Sequence, residues 1–470
     1  MNIATSYDRE RKAQLGQFMT SPNVAEFMAC LLTANKNEPA HILDAGAGLG
    51  ALSCALIDVW GREKTDDISL TAFEVDESVL PDLHRNLTRR YADRFRVISE
   101  DYIEYSVSSC AKRDYTHAIL NPPYKKISSQ SRHRKLLREV GIETGNLYSA
   151  FVSLALRDLK PDGQLVAIIP RSFCNGPYFK PFRKFVFDNA AVTHIHLFGS
   201  RTDAFKNDGV LQENIIVRLV KGQQQKSVEV SVSNDSSFSD LRSERYDFSD
   251  IVKQDDDDLF IHIPNNDKQI AGIDHRVSLS DLALTVSTGP VVGFRLREHL
   301  CEEMQSMAAP LLYPTHFRDG RVRWPLIDAK KPNAISVNES TRKWLYPNGN
   351  YCVVRRFSSK EERHRVVASV VEPGDIGDSD LIGLDNKLNF FHENKATLSR
   401  ELAHGLAAYL NTDLVDTEFR LFSGHTQVNA TDLRKMTYPK RSDLEELGAK
   451  VIAGQAPTQD EIYQTFIETD

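Results

Sequence analysis

Asp44-Ala45-Gly46-Ala47-Gly48-Leu49-Gly50 stands directly between a short apolar stretch, residues 41–43, and a helical pattern over residues 51–60. Glycines in a strand-to-helix turn let the backbone bend tightly and approach a ligand that a Cβ atom would exclude. A glycine-rich turn alone is a weak signal, because any dinucleotide-binding domain can carry one. The neighbouring strands must therefore show what this turn binds.

Short β-branched runs alternate with helix-length spacers through the first 220 residues. This alternation predicts βαβ units, which form a mostly parallel sheet with helices on its faces. The last two strands fit an antiparallel pair that closes the sheet. The predicted strands are residues 41–43, 69–75, 96–98, 117–120, 164–169, 192–197 and 214–220.

The chain changes character after Val220. Residues 221–226 are polar, and a Ser- and Asp-rich stretch follows to about residue 258. We predict an α/β domain over residues 1–222, a connecting segment with an acidic loop over 223–275, and a mixed α+β domain over 276–470.

The composition excludes several classes of protein. No stretch approaches about 18 consecutive apolar residues, so no membrane span is expected, and the N-terminus lacks the apolar core of a secretory signal. The six cysteines stand singly, without the spacing of a zinc site or a disulfide framework. We therefore expect a cytoplasmic protein with reduced thiols and no metal.

The net charge does not decide whether the partner is a nucleic acid. The formal value of −7 at pH 7 argues mildly against one. However, residues 125–138 and 355–365 are rich in Lys, Arg and His, whereas four aspartates stand together at 255–258. A basic cleft can coexist with an acidic loop elsewhere.

Acidic side chains follow three successive predicted strands. Asp44 ends the first, Glu74 ends the second, and Asp101, with Tyr102 beside it, follows the third. Glu74 is placed to accept hydrogen bonds from both hydroxyls of a ribose. Asp101 can accept from an adenine amino group, and Tyr102 can offer a ring face. One acidic residue here is usually a helix cap, but three at one sheet edge favour a ligand site.

The fourth predicted strand leads directly into Asn121-Pro122-Pro123-Tyr124. Two prolines fix φ and lack N–H groups, so they make a rigid corner. An adenine amino group is a poor nucleophile because its lone pair is delocalised. The Asn121 side-chain oxygen and the Pro122 carbonyl can hold its N–H bonds and stabilise the developing charge, while Tyr124 stacks on the base. The alternative is a Pro-Pro turn that only closes a strand.

The order of these motifs resembles that of the gamma-class N6-adenine DNA methyltransferases, especially modification methylases of the PstI and XhoI kind, whose catalytic fold is similar to the Taq-type enzyme. In this class a Gly-Gln-Phe-x-Thr-Pro segment comes first. Residues 16–22 match it, except that Ser21 is inserted before Pro22. Further similar segments are residues 145–151, 165–170, 172–179, 287–295 and 422–434.

The resemblance implies a Rossmann-like methyltransferase domain that uses S-adenosylmethionine, followed by a DNA target-recognition domain. It implies a target adenine flipped out of double-stranded DNA and stacked on Phe179, with Tyr178 as the alternative; Phe179 could instead be a core aromatic. A cognate restriction endonuclease that shares the DNA site is a further expected partner. The implied cofactor-binding residues are Thr20, which belongs to the first motif, and Asp44, Gly46, Gly48, Glu74, Asp101 and Tyr102.

Two groups of side chains are candidates for DNA contact. Arg295 can bond a guanine edge and Gln427 an adenine edge, although phosphate contacts or solvated loops are equally good interpretations. A basic group is placed to hold phosphates beside the catalytic corner, unless it is only an exposed charged helix. The members of this group are Lys125, Lys126, Arg132 and Arg134.

Other functions are compatible with the same corner. RNA adenine or a protein glutamine amide can also be methylated at Asn-Pro-Pro-Tyr, although the large C-terminal domain disfavours a protein substrate. A silent DNA-binding protein on this scaffold is disfavoured by the intact acidic residues and Asn121. His194 and His196 lie on one strand face and are expected to be structural, so no metal ligand is predicted.

Overall fold

The computed structural model describes residues 20–34, 38–61, 67–108, 114–198, 214–253, 256–264, 276–327, 331–358, 362–422, 427–455, 457–459 and 461–462. The chain divides into two compact units, Met1–Asn265 and Asn266–Asp470. Within the described ranges, no helix is long and apolar enough to cross a membrane.

The first unit is built on a nine-stranded sheet in the order β3-β2-β1-β4-β5-β7-β6-β8-β9. Strands β1 to β5 all run parallel to one another, whereas β7 lies antiparallel between β5 and β6. The seven predicted strands and the closing antiparallel pair are confirmed. Their bounds are β1 Ala40–Ala45, β2 Ile68–Phe73, β3 Phe95–Ile98, β4 Tyr115–Leu120, β5 Leu159–Pro170, β6 Ala190–Phe198 and β7 Asn214–Lys221.

Helices supply an apolar core on each face of this sheet. Successive strand residues point to opposite faces, so Ile42 of β1 packs in one core with Leu56, and Leu43 packs in the other with Leu154. The helices are α1 Pro22–Cys30, α2 Ala51–Trp60, α3 Leu80–Tyr91, α4 Tyr102–Ser108, α5 Arg132–Glu139, α6 Leu147–Asp158 and α7 Lys180–Asn189.

The prediction of a connecting segment over residues 223–275 is wrong for its first part. Strand β8, Ser227–Ser233, pairs in parallel with β6, and β9, Arg242–Asp247, pairs antiparallel with β8. A short helix α8, Phe248–Ile251, follows. Val228 and Val230 are buried and alternate with polar residues, which is the pattern of a half-buried strand. The serine-rich composition hides this pattern, and the sheet extends beyond the predicted boundary at residue 222.

The second unit is mixed α+β, as predicted. It contains a six-stranded sheet in the order β10-β20-β17-β18-β14-β13 and a five-stranded sheet in the order β11-β15-β12-β19-β16. The strands are β10 Thr285–Thr288, β11 Leu300–Cys301, β12 Ala308–Leu312, β13 Phe317–Arg318, β14 Arg321–Val322, β15 Ala334–Ser336, β16 Leu345–Pro347, β17 Tyr351–Arg355, β18 Ala368–Val371, β19 Leu381–Leu384 and β20 Leu388–His392. The helices are α9 Arg400–Leu410, α10 Asp413–Phe422, α11 Ala430–Lys435 and α12 Arg441–Ile452.

Candidate active site

The glycine-rich turn folds back onto the neighbouring strand. Gly46 and Gly48 have φ values of 83° and 54°, which favour glycine. The Gly46 N–H donates to the Phe73 carbonyl oxygen at 2.9 Å, and the Gly48 N–H donates to Oε2 of Glu74 at 2.7 Å. A Cβ atom on Gly48 would meet no described atom within 4 Å. A ligand can therefore approach the backbone at this glycine.

Glu74 follows β2 and ties this turn in place. Its Oε2 accepts from Gly48, and its Oε1 accepts from the Asp76 N–H at 2.8 Å. Burial raises the pKa of Glu74, although these backbone hydrogen bonds oppose the shift. Because a carboxylate oxygen can accept more than one hydrogen bond, Glu74 can hold the turn and still accept from the hydroxyls of a ribose.

Asp44, at the end of β1, has a buried acceptor that nothing described satisfies. Its Oδ2 accepts from the Ser53 hydroxyl at 2.5 Å, while Oδ1 has no hydrogen-bond partner among the described residues. Burial raises the pKa of Asp44 to about 7, and the nearby charge of Glu74 adds to this shift. A buried carboxylate oxygen without a partner is costly. A cationic ligand group beside it would relieve both the desolvation and the repulsion between the two acids.

Asp101 is oriented by two donors. Its Oδ1 accepts from the Glu104 N–H at 3.0 Å at the start of α4, and its Oδ2 lies 3.2 Å from Nε2 of His133 on α5. Burial raises the pKa of Asp101, but the hydrogen bonds from His133 and from the Glu104 N–H outweigh it and lower the pKa overall. The same hydrogen bond raises the pKa of His133. Sequence reasoning missed His133, because it was one member of a basic stretch.

The corner that follows β4 holds the amide of Asn121 from two sides. The Asn121 Nδ2 donates to the Thr20 hydroxyl at 2.9 Å, and the Asn121 Oδ1 accepts from the Tyr124 hydroxyl at 3.2 Å. The same Tyr124 oxygen lies 3.1 Å from the carbonyl oxygen of Ile168 in β5. Burial raises the pKa of Tyr124, so its hydroxyl stays protonated. The orientation of the Asn121 amide is therefore fixed before a substrate binds.

The corner lies beside the glycine-rich turn. A Cβ atom on Gly46 would be 3.8 Å from Cδ of Pro123. Strands β1 and β4 are neighbours in the sheet, so their carboxyl ends bring Asp44 and Asn121 to one edge, where open α/β sheets bind ligands. The structure thus brings together the groups that the sequence places after separate strands.

Known proteins are similar to this sequence over nearly its whole length. The Eco57I restriction-modification methylase family matches residues 51–205. The type II methyltransferase M.BsuBI of Bacillus subtilis is 48% identical over 458 residues, which cover 94% of this chain and 91% of that protein. The chain belongs to this family of type II methyltransferases. M.PstI of Providencia stuartii, also a type II methyltransferase, is 44% identical over 471 residues, which cover 96% and 92% of the two proteins.

A solved structure shows the same fold as this type II methyltransferase. The DrdV–DNA complex, determined by electron cryomicroscopy, has a TM-score of 0.56 and 14% sequence identity. The match covers 96% of this chain and 58% of that chain. At this identity the likeness concerns the fold alone. Family membership makes this chain a site-specific DNA methyltransferase of restriction-modification type, for which S-adenosylmethionine is the expected cofactor.

The sheet edge of the methyltransferase fits that cofactor. S-adenosylmethionine carries an ammonium group and a sulfonium, which suit the buried carboxylate of Asp44 with its unsatisfied oxygen. Its ribose hydroxyls suit Glu74, and its adenine amino group suits Asp101. When bound, the cofactor would supply the methyl group, and these side chains are placed to hold it.

Tyr102 does not offer the exposed ring face that the sequence predicts. Its ring is buried, with centroids 4.9 Å from Phe73 and 5.3 Å from Phe151. Its hydroxyl donates to Oδ2 of Asp158 at 3.3 Å. Helix α4 begins at Tyr102, and the helix directs this side chain into the core. The stacking role predicted for Tyr102 is therefore wrong.

The two aromatic candidates for stacking on a flipped base differ in exposure. Phe179 is 8% exposed and packs in the core, with its ring 5.9 Å from that of Tyr148. Tyr178 is 58% exposed. A Cβ atom on Gly145 would lie 1.6 Å from the Tyr178 hydroxyl oxygen, so the ring lies directly against that glycine. This packing favours the interpretation of Phe179 as a core aromatic residue. It also favours Tyr178 as the residue that stacks on the base.

The side chains of the basic group after the corner differ in exposure. Lys125 and Lys126 are exposed, and the exposed Arg132 lies 3.2 Å from Oε2 of Glu104. Arg134, in contrast, is largely buried and forms an ion pair with Glu143. The prediction that Arg134 holds a phosphate is therefore not favoured, because its side chain is both largely buried and paired, whereas Arg132 is exposed.

Arg183 is a buried residue that sequence reasoning did not single out. Its Nη1 donates to the carbonyl oxygens of Phe173 at 2.6 Å and Gly176 at 2.9 Å, and its Nη2 donates to that of Asp258 at 2.6 Å. Burial lowers the pKa of Arg183 to about 10. Arg183 thus fixes the loop that precedes Tyr178. Its position four residues after Phe179, close to the family-like segment 172–179, was the available signal.

The two residues predicted to read bases both lie in the second unit. Arg295 is exposed, and its guanidinium carbon is 5.5 Å from the centroid of the Phe294 ring. Gln427 is half-buried and forms a backbone bridge with Phe357. Residues 423–426 of the same family-like segment, and residues 16–19 of the first motif, lie outside the described residues.

Proposed function

We propose that this methyltransferase transfers a methyl group from S-adenosylmethionine to the exocyclic N6 of adenine in double-stranded DNA. The observation that carries the proposal is the Asn121 amide, which Thr20 and Tyr124 hold at the sheet edge beside the glycine-rich turn. The proposed binding site of the methyl donor then lies next to two acceptors for an amino group, the Asn121 Oδ1 and the Pro122 carbonyl oxygen. This is the arrangement that an exocyclic nitrogen requires to act as a nucleophile.

In this mechanism the corner binds the amino group and needs no strong base. The Asn121 Oδ1 and the Pro122 carbonyl oxygen accept hydrogen bonds from the two N–H groups and stabilise positive charge on N6 as it attacks. The methylated N6 then loses one of these protons to solvent. Pro123 keeps the corner rigid, and Tyr124 packs against the base. The Asn121 Nδ2 donates to the Thr20 hydroxyl, so the amide directs its oxygen towards the substrate.

We assign cofactor binding to Asp44, Glu74, Asp101 and the backbone at Gly46 and Gly48. His133 orients Asp101 through its 3.2 Å contact. Thr20 acts through Asn121 in addition to any contact with the methionine end of the cofactor. Target-base stacking belongs to Tyr178 or Phe179, and the exposure of Tyr178 favours the former.

The second unit supplies target recognition in this proposal, through Arg295 and Gln427. Lys125, Lys126 and Arg132 hold phosphates near the catalytic corner, since all three are exposed cations. Phosphate contacts position the duplex without reading its sequence. A cognate restriction endonuclease acts on the same DNA site.

The experiment that tests the proposal identifies the methylated base. Duplex plasmid DNA is incubated with the purified protein and S-adenosylmethionine, digested to nucleosides and analysed by mass spectrometry. We expect N6-methyladenine. Methylated cytosine, or no methylated nucleoside in DNA together with methylation of RNA or of a glutamine-containing protein, would contradict the assignment.

A further inference from the structure

Four loops meet at one end of the six-stranded sheet of the second unit. The Gly289 N–H donates to the Leu388 carbonyl oxygen at 2.8 Å, the Arg356 N–H to that of Lys387 at 2.9 Å, and the Val428 N–H to that of Arg356 at 2.8 Å. The loops therefore form one continuous surface, which we call the sheet-end rim. The rim consists of residues 289–295, 356–358, 385–387 and 427–429.

The rim is rigidly built. A Cβ atom on Gly289 would lie 2.2 Å from the Asp385 carbonyl oxygen, so glycine is required for these two loops to touch. The Asn386 N–H donates to the Val291 carbonyl oxygen at 2.9 Å, and Nη1 of Arg356 donates to that of Asn386 at 3.2 Å. Side chains on the rim are therefore presented from a fixed backbone.

The exposed chemistry of the rim combines aromatic rings with positive charge. Phe294 is 70% exposed and Phe357 is 48% exposed. Arg295 and Lys387 are exposed cations. The acidic residue of the rim, Asp385, is buried, and its Oδ1 accepts from the Lys387 N–H at 3.0 Å. Within the described rim residues, the exposed charges are thus all positive.

A duplex of DNA matches this combination. Phosphates attract exposed Lys and Arg side chains, and base pairs offer apolar faces against which an inserted phenylalanine can stack. The Arg295 guanidinium lies over the Phe294 ring at 5.5 Å, so a cation accompanies the ring. Two exposed aromatic rings on adjacent cationic loops favour a polyanion with stacked bases over a purely charged or purely apolar partner.

We propose that the sheet-end rim is the surface through which the second unit contacts duplex DNA, and that Phe294 is an apolar wedge that packs against base pairs there. Lys387 and Arg356 hold phosphates beside the wedge. The inference rests on the proposed function, because it takes DNA as the substrate. It adds an interaction surface and a residue that contributes through stacking.

Met307 provides a matched control for Phe294. It is 71% exposed and directly precedes β12. The far end of this strand, Leu312, accepts through its carbonyl oxygen from the Asp385 N–H at 3.0 Å. At roughly 3.4 Å per residue, Met307 lies about 17 Å along the strand from the rim. It is therefore an exposed apolar residue of the same unit that does not belong to the rim.

The test begins with the sites that the wild-type protein methylates. Plasmid DNA modified by the wild type is sequenced with detection of modified bases, and one mapped site is placed in a short duplex. The dissociation constant of this duplex is then measured over a range of salt concentrations for the wild type and for F294A, K387Q and M307A. S-adenosylmethionine affinity is measured in parallel and should be the same for all four proteins.

We expect F294A to weaken duplex binding by about 5- to 150-fold, which corresponds to the loss of one base–aromatic stack, with an unchanged salt dependence. K387Q should reduce the slope of log affinity against log salt by about 1. M307A should stay within about two-fold of the wild type, as expected of an exposed side chain outside the proposed DNA-binding surface.

Equal affinities of F294A and M307A would overturn the wedge, and an unchanged salt slope in K387Q would overturn the phosphate contact at the rim. If the first step finds no methylated DNA site, the proposed function itself fails, and the rim inference fails with it. The mapping step therefore distinguishes the two failures.

Discussion

Asn121 is oriented before the substrate binds, because its amide nitrogen donates to the Thr20 hydroxyl and its amide oxygen accepts from the Tyr124 hydroxyl. Preorganised acceptors of this kind stabilise charge in the transition state without further rearrangement. At the residue scale, each of these side chains thus has a partner that fixes its orientation. Glu74 accepts from the Gly48 N–H of the turn, Asp101 contacts His133, and Asn121 donates to Thr20.

Replacing Glu74 should affect the cofactor more than the DNA. Glu74→Ala removes the proposed acceptor for the ribose hydroxyls and the carboxylate that accepts from the Gly48 N–H. Charge-assisted hydrogen bonds contribute about 1.5–3 kcal/mol, so calorimetry should show S-adenosylmethionine affinity reduced by about 10- to 150-fold. The exposed Glu77, three residues further, gives the control Glu77→Ala, which should bind as the wild type does. Unchanged affinity in Glu74→Ala would remove Glu74 from the site.

Tyr178 and Phe179 can be separated by stability and by activity. Phe179→Ala opens a cavity in the core and should lower the free energy of unfolding by about 3–5 kcal/mol. Tyr178→Ala removes an exposed ring, so the stability should change by less than about 0.5 kcal/mol. Methylation by Tyr178→Ala at saturating cofactor should nevertheless fall by about 5- to 150-fold, through loss of stacking on the base. Full activity of that variant would return the stacking role to Phe179.

At the element scale, β6 and β8 are joined by a buried network of histidine and serine. The Ser231 hydroxyl lies 2.7 Å from Nε2 of His194 and 2.8 Å from Nδ1 of His196. Burial lowers the pKa of His194 to about 4 and that of His196 to about 3. Both are therefore neutral structural groups at pH 7, consistent with the structural role that the sequence favours.

This network predicts a pH dependence of stability. The unfolded histidine binds a proton near pH 6.5 and the folded one only far below, so its contribution is fully present above about pH 6.5 and is lost as the pH falls towards the folded value. Between pH 7.5 and 5.5, protonation of each such histidine in the unfolded state should lower the free energy of unfolding by about 1 kcal/mol. Denaturant titrations of His196→Gln should show a pH-dependent loss smaller than that of the wild type by this amount. The exposed His41 supplies the control His41→Gln, and an equal loss in wild type and His196→Gln would contradict the account.

At the scale of the whole molecule, the first unit ends after β9 and residues 256–264, not at residue 222. A fragment of residues 1–264 keeps every cofactor residue and all nine strands, so it should remain soluble and bind S-adenosylmethionine with the affinity of the full chain. A fragment of residues 1–225 lacks β8 and exposes the edge of β6, and it should aggregate.

The longer fragment, residues 1–264, should bind DNA in a salt-sensitive manner without site preference. If it methylated the sites of the full-length protein with undiminished preference, recognition by Arg295 and Gln427 would be wrong.

Sequence reasoning found the groups whose position depends on local order. Asp44, Glu74 and Asn121 each lie at or just after the carboxyl end of a strand, and the carboxyl ends of neighbouring strands meet at one edge. It failed where packing decides, because Tyr102 turns into the core at the start of α4 and Arg134 pairs with Glu143. It also missed the contact of His133 with Asp101, which joins side chains 32 positions apart. The strands β8 and β9 were hidden by serine-rich composition.

The most direct test of the central claim compares the wild type with Asn121→Ala in single-turnover reactions on duplex DNA, with nucleosides identified by mass spectrometry. The alanine cannot accept an amino proton, and loss of one preorganised partner of this kind lowers the rate by roughly 10²–10³. We predict N6-methyladenine from the wild type, at least a hundred-fold slower formation by Asn121→Ala, and equal S-adenosylmethionine affinity in both. A different methylated base, or N6-methyladenine formed by Asn121→Ala at the wild-type rate, would contradict the mechanism.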